Sequence, residues 1–207
     1  MVFPRARLGL AVAAVLAVAG TVWAWSAVHG LDPTNPRVTL AGIEANVSQK
    51  YPVPELTEGQ LASRLSGSAG IGAGDLLFDV REPGEFAQSQ LPGARRIDPE
   101  MTASEFQAAF GPELKGRTVV FYCAVSVRSG RMLARVQPVL KSNGAAASYN
   151  LRGGIFRWHA SGRTLVAENS AGGAPCTVHP FDASWGQLLD RTLNRGDAPQ
   201  SKAHRAE

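Results

Sequence analysis

Two short apolar runs, at residues 76–80 and 118–122, and a further short strand pattern at 147–151 each lead into a polar or glycine-bearing turn and then into a helical pattern. A chain built this way has few options. Strands that are apolar on both faces must be covered on both faces, and parallel neighbours need a crossover between them. The alternation therefore predicts an α/β domain with a central, largely parallel sheet flanked by helices. In such sheets sites form outside the carboxyl ends of the strands. Asp79, Cys123 and Gly153 end or follow these runs and are expected to converge there.

The helical patterns can be placed around the strands. Thr57 with Gln60 forms a capping-box pattern ahead of Leu61 and Leu65. Residues 84–89 allow one or two helical turns, Leu91-Pro92-Gly93 a turn, and residues 94–97 a weak strand. Residues 104–110 predict a helix that buries Phe106, Ala109 and Phe110. Residues 129–140 place Met132, Leu133, Val136 and Leu140 at helical spacing, with Pro138 expected to kink or shorten the helix. Residues 155–160 read as a last helix of the domain, and the Gly/Ser-rich residues 66–74 as a loop.

The turn after residues 118–122 carries the chemistry. Cys123 sits between a buried strand and a helix start, where free N–H groups and the helix dipole favour an anion. Such a place lowers a thiol pKa and makes the nucleophilic thiolate available. Arg128, five positions on, closes the turn with a permanent cation. A buried strand cysteine followed by an ordinary helix start is the bland alternative.

The rest of the 207 residues bounds the setting. A hydrophobic fraction of 44% supports a real core, and the net charge of +4 comes from scattered arginines without interleaved aromatics, so nucleic-acid binding is not implied. Two cysteines make no disulfide framework. Cys176 and His179 form a C-x-x-H pair, but no second pair completes a metal set, and no cofactor is called for. Residues 8–28 are uncharged and rich in Ala, Val and Leu, with Trp23 and Trp25 near the end. At about 1.5 Å per residue this run spans roughly the 30 Å core of a bilayer. It is longer than a signal-peptide core, and Ala24-Trp25-Ser26 is a poor cleavage site. The reading is a single-pass signal anchor in a bacterial-type inner membrane. Arg5 and Arg7 precede the span and put residues 1–7 in the cytoplasm and the domain in the periplasm. Residues 29–55 read as a linker, 56–167 as the domain, and 168–207 as a C-terminal extension with one amphipathic patch around Trp185, Leu188 and Leu189 and a disordered end.

Four ordered blocks bring in a resemblance. Asp79-Val80-Arg81-Glu82-Pro83-Gly84-Glu85-Phe86 resembles the strand-end D-V-R-x-x-x-E-F block of the rhodanese-like sulfurtransferases. Leu91-Pro92-Gly93-Ala94 is similar to their I/L-P-G-A turn, Cys123 to Ser129 to their C-x-x-G-x-R-S active loop, and Leu151 to Trp158 to their L-x-G-G-x-x-x-W block. The resemblance covers roughly residues 56–165. One position departs: Ser126 stands where the family commonly has Gly. If the position needs a positive φ, Ser costs about 1 kcal/mol more than Gly.

The resemblance implies a rhodanese-like fold, no cofactor, and persulfide chemistry. Cys123 is the implied nucleophile, attacking a small sulfur donor such as thiosulfate, and a thiol or cyanide is the acceptor. The amides of Ala124, Val125, Ser126, Val127, Arg128 and Ser129 are the implied ring around the sulfur, and Arg128 suits an oxyanion donor. Ser129 is read first as a helix cap. Asp79 and Arg81 are supporting residues that order the neighbouring loop, with Arg81 expected to pair with Glu82 or Glu85. Trp158 is read as core, and His159 as a residue able to reach the pocket rim. The C-x4-R spacing makes a smaller cradle than the C-x5-R of related phosphatases. A non-catalytic module that recruits a partner to the membrane is the alternative from another class. A Cys123–Cys176 disulfide is a further alternative in an oxidising compartment.

Overall fold

The computed structural model describes residues 31–66, 74–167 and 176–195. Helix α1, Leu40–Lys50, comes first, capped by Thr39, whose hydroxyl accepts the Gly42 amide at 3.1 Å. Strand β1 is Glu55–Leu56 and helix α2 is Glu58–Ser66. Strand β2, Asp75–Asp79, runs into α3, Pro83–Gln88, and then the short β3, Arg95–Arg96. Helix α4, Ala103–Phe110, and a 3-10 turn lead to β4, Thr118–Tyr122. Helix α5 is Val127–Ser142, β5 is Ala147–Leu151, α6 is Gly154–Ala160, and α7 is Ala183–Arg195.

All sheet pairings are parallel, in the order β1-β5-β4-β2-β3. The alternation of the strands sorts their side chains to two faces. Leu77, Val120 and Tyr122 face a core built with Leu40, Ile43 and Val47 of α1, Ile155 and Phe156 of α6, and Leu188 and Leu189 of α7. Leu76, Phe78, Val119 and Phe121 face the other, with Phe106 and Phe110 of α4 and Met132, Leu133, Val136 and Leu140 of α5. Phe78 sits at the centre of an aromatic group there, its ring 4.7 Å from Phe110 and 5.5 Å from Phe121, centroid to centroid.

The α/β reading and its parallel sheet hold, and the Thr57–Gln60 capping box forms, with reciprocal bonds of 2.9 and 3.2 Å. The boundaries need correction. Residues 40–50, read as linker, are helical and packed, because Leu40, Ile43 and Val47 at i, i+3 and i+7 bury one face. Glu44 on that helix is buried too, its Oε1 accepting from Arg157 Nε at 2.8 Å. The amphipathic patch in the C-terminal extension is the whole of α7, and it belongs to the core rather than to a polar tail. Arg191 on α7 donates to the Pro33 carbonyl at 2.6 Å, clasping the two ends of the described chain. Ala109 is exposed, because the buried stripe of the short α4 narrows to Phe106 and Phe110. Pro138 does not shorten α5, which continues to Ser142 while Val136 and Leu140 hold it on the sheet. The proposed membrane span at residues 8–28, residues 1–7 and the disordered end fall outside the described residues. Among the described residues no helix is long and apolar enough to cross a membrane.

Candidate active site

Strand β4 delivers Cys123 at its carboxyl end, beside the end of β2. The cysteine is 1% exposed and lies on the turn that becomes α5 at Val127. What shapes this turn is the neighbouring helix α6. The Ile155 amide donates to the Cys123 carbonyl at 2.9 Å, and the Phe156 amide to the Ala124 carbonyl at 3.1 Å. Gly154, at φ 56°, makes the approach possible: a Cβ there would stand under 3.0 Å from both carbonyl oxygens. The Ser126 carbonyl is likewise turned away, accepting from Gly130 N at 3.0 Å and Asn150 Nδ2 at 3.1 Å. A peptide is planar with N–H and C=O on opposite edges. Drawing these three carbonyls outward therefore aims the amides of Ala124, Val125 and Val127 the other way. Among the described residues no protein acceptor takes any amide from Ala124 to Ser129. The turn is a nest of free donors suited to an anion.

Ser126 adopts φ 70° and ψ 0°, the left-handed conformation for which glycine is best suited. Its hydroxyl donates to the Val125 carbonyl at 2.5 Å and does not cap α5. Ser129 does not cap the helix either. It is buried, donating at 2.7 Å to Asn150 Oδ1, so the same asparagine ties the loop to β5 at two points.

Arg128 makes a bidentate pair with Glu85 of α3, at 2.7 and 2.8 Å. Glu85 is buried and also accepts the Glu82 amide at 3.0 Å, closing the start of α3. On its other side the guanidinium lies 5.1 Å from the centroid of Phe181. Burial works against its charge, but the Glu85 hydrogen bond, the nearby Cys123 and the Glu85 charge outweigh it and hold the Arg128 pKa above its ordinary value. Arg81 is paired with Asp79, not with Glu82 or Glu85. Both are fully buried, with Arg81 Nη2 2.6 Å from Asp79 Oδ2 and 2.6 Å from the Ser89 carbonyl. The reason is local. Asp79 and Arg81 flank Val80 at the strand end, and Glu85 is already taken by Arg128. The pair ties β2 to the end of α3.

A pocket of about 210 Å³ opens on this loop. Leu31, Ala124, Val125, Val127, Phe181 and Trp185 form its apolar walls, with Cys123 and Arg128 as the other lining residues. The structure thus brings together Cys123, Ala124, Val125, Val127 and Arg128, and places Ser126 and Ser129 behind the loop as supports. Leu31, Phe181 and Trp185 were not anticipated, since they come from segments remote in sequence. Glu85 was legible as part of the D-V-R-x-x-x-E-F block but not as the partner of Arg128, and Asn150 was not singled out. No disulfide joins Cys123 to Cys176 here, so the disulfide alternative is not the form observed. His159 is half-buried, and burial lowers its pKa, but it does not line this pocket. Trp158 is core, its indole N–H donating to the Thr164 carbonyl at 2.9 Å.

The chain is similar to one family model and to several known proteins. A family model described as the rhodanese-like domain matches residues 61–161. A protein of Allochromatium vinosum named as a sulfurtransferase is 31% identical over 115 residues, 56% of this chain and 96% of its own length. The uncharacterised protein YqhL of Bacillus subtilis is 38% identical over 82 residues, 40% of this chain and 59% of its own. The chain thus spans little more than half of that relative. Among solved structures, a thiosulfate sulfurtransferase from Pseudomonas aeruginosa aligns with a TM-score of 0.45 at 18% identity, covering 74% of this chain and 26% of that one.

Proposed function

The chain belongs to the rhodanese-like domain family, and from that premise we propose that it is a sulfurtransferase carrying sulfane sulfur as a persulfide on Cys123. The observation that carries this reading is the turn that follows that cysteine, whose amides from Ala124 to Ser129 have no protein acceptor among the described residues. In the first half-reaction the Cys123 thiolate attacks the outer sulfur of a donor such as thiosulfate. The S–S bond of the donor breaks, sulfite leaves with the electron pair, and Cys123 holds the sulfur as a persulfide. In the second, an acceptor nucleophile, a thiol or cyanide, attacks the outer sulfur and the Cys123 thiolate returns. The preorganised amides stabilise the negative charge on sulfur in both steps. Arg128, fixed by Glu85, supplies a positive charge beside the sulfur. The C-x4-R loop supports a single sulfur atom as cargo in preference to a phosphate. The uncharged residues 8–28 support a place at a membrane, with the domain outside the cytoplasm.

Intact-mass analysis after thiosulfate treatment tests the reading. The protein is expected to gain one sulfur on Cys123, and to form thiocyanate once cyanide is added. Cys123→Ser should lose the gain and lower turnover by about 10³-fold or more. Absence of the gain with every sulfur donor tried would overturn the proposal in favour of a non-catalytic module.

A further inference from the structure

The walls of the pocket carry information about the donor that the loop alone does not. We propose that this site selects an organic hydropersulfide, R–S–SH, whose substituent R is small and apolar, and that Phe181 and Trp185 set the preference. The inference rests on the sulfurtransferase reading and narrows its substrate class.

Three observations carry it. First, six of the residues lining the pocket are apolar, and its volume of about 210 Å³ suits one ring or a short alkyl group. Drug-sized sites begin near ~300 Å³. Second, the one cation among the described lining residues is already matched. Both arms of Arg128 are held by Glu85 at 2.7 and 2.8 Å, and one side of the guanidinium is covered by Phe181. Beyond the amides of the loop, a dianion such as thiosulfate would enter an apolar space with no unmatched positive side chain among its described lining residues, at a desolvation cost an apolar R group does not incur. Third, the wall is held in place against local preference. Phe181 is 47% exposed although large and apolar, and it sits at φ 72°, a conformation an aromatic residue rarely adopts. Its amide donates to His179 Nδ1 at 3.0 Å, which fixes the ring over Arg128. Strain of this kind persists where the surrounding structure imposes it and is concentrated at functional sites. Phe181, Trp185 and Leu31 all lie outside the residues matched by the family model, so this wall is an addition to the matched domain.

The step balances without an oxidant. The Cys123 thiolate attacks the outer sulfur of R–S–SH, and a new S–S bond forms as the donor S–S bond breaks. R–S⁻ leaves with the electron pair and takes a proton from water, and the proton on the transferred sulfur stays with it. The product is Cys123–S–SH. R remains against Phe181 and Trp185 until the thiol departs.

The test uses the full chain and three donors, with sulfur gain on Cys123 followed by intact mass. Benzyl hydropersulfide and glutathione hydropersulfide share the reacting S–SH group and differ in R, and thiosulfate is the third arm. Rates are normalised to each donor's reaction with free cysteine. Benzyl hydropersulfide is expected to load Cys123 about tenfold faster than glutathione hydropersulfide, the scale of one apolar contact in a binding pocket. Phe181→Ala should lower that ratio several-fold, and Phe181→Leu should keep most of it. Trp185→Ala provides a second, independent reading of the same wall. Equal rates for the two hydropersulfides, or a ratio unmoved in both alanine variants, would overturn the inference while leaving sulfur transfer intact. Loading by thiosulfate but by neither hydropersulfide would do the same. If no donor loads Cys123, the sulfurtransferase reading fails as well.

Discussion

Ser126 occupies a backbone conformation, φ 70°, that suits glycine, and it sits in the middle of the turn between Cys123 and α5. The sequence flagged this position as the one departure from the family pattern, and its cost is now concrete. A left-handed L-residue costs roughly 1–2 kcal/mol, partly offset because glycine loses more chain entropy on folding. Ser126→Gly is therefore expected to stabilise the protein by about 0.5–1 kcal/mol, seen as a higher midpoint in urea melts. Tyr122 makes the opposite kind of statement. It is fully buried, its phenol oxygen accepts the Leu91 amide at 3.1 Å, and burial followed by the Asp79 carboxylate pushes its pKa well above the ordinary value. The unfolded tyrosine ionises near ~10 while the folded one stays protonated, so above that pH the unfolded state binds fewer protons. Its contribution is complete below about pH 10 and falls as pH rises toward the folded value. Urea melts between about pH 9 and 11 should show the decline, and Tyr122→Phe should flatten it. The same variant should cost about 1–3 kcal/mol near neutral pH, because the Leu91 amide is left unpaired.

Among the elements, α6 does more for the site than its seven residues suggest. Its first amides take the carbonyls of Cys123 and Ala124, and that contact exists only because Gly154 has no side chain. Gly154→Ala is expected to push the loop off α6, with a loss of about 2–4 kcal/mol in stability and near-complete loss of persulfide loading. A circular-dichroism melt and a mass measurement on the same sample check both. This is also where the sequence was most and least informative. The strands at 75–79 and 118–122 were legible because buried parallel strands read as largely apolar runs, and the one at 147–151, which holds Ser148 and Asn150, from its place before the Gly153-Gly154 turn. The Gly153-Gly154 step was legible as a block, but not the reason for it, since close backbone approach leaves no pattern along the chain. Helix α1 was missed because its three buried apolar residues are diluted by Asn46, Ser48 and Gln49 and preceded by Pro33 and Pro36. The partner of Arg81 was misread because the choice between Asp79, Glu82 and Glu85 depends on where Arg128 reaches.

At the level of the whole molecule, the folded unit is larger than the segment that identifies it. Residues 61–161 match the family model, yet Leu40, Ile43, Val47, Leu188 and Leu189 are buried from outside it. Each such burial contributes about 1.5–3 kcal/mol, so together they reach the order of 10 kcal/mol, comparable to the ~5–15 kcal/mol of a typical domain. A fragment cut to residues 61–161 is expected to lack a cooperative thermal transition, which calorimetry would show directly. The clasp between Arg191 and Pro33 has a further consequence. The pocket wall from residue 31 and the wall from α7 are tied to each other as well as packed on the core. Breaking that tie would loosen both together, so their amides should exchange hydrogen as one unit, at a free energy below that of the strands. The mouth of the pocket would then open and close while the loop after Cys123, held by α6, keeps its shape.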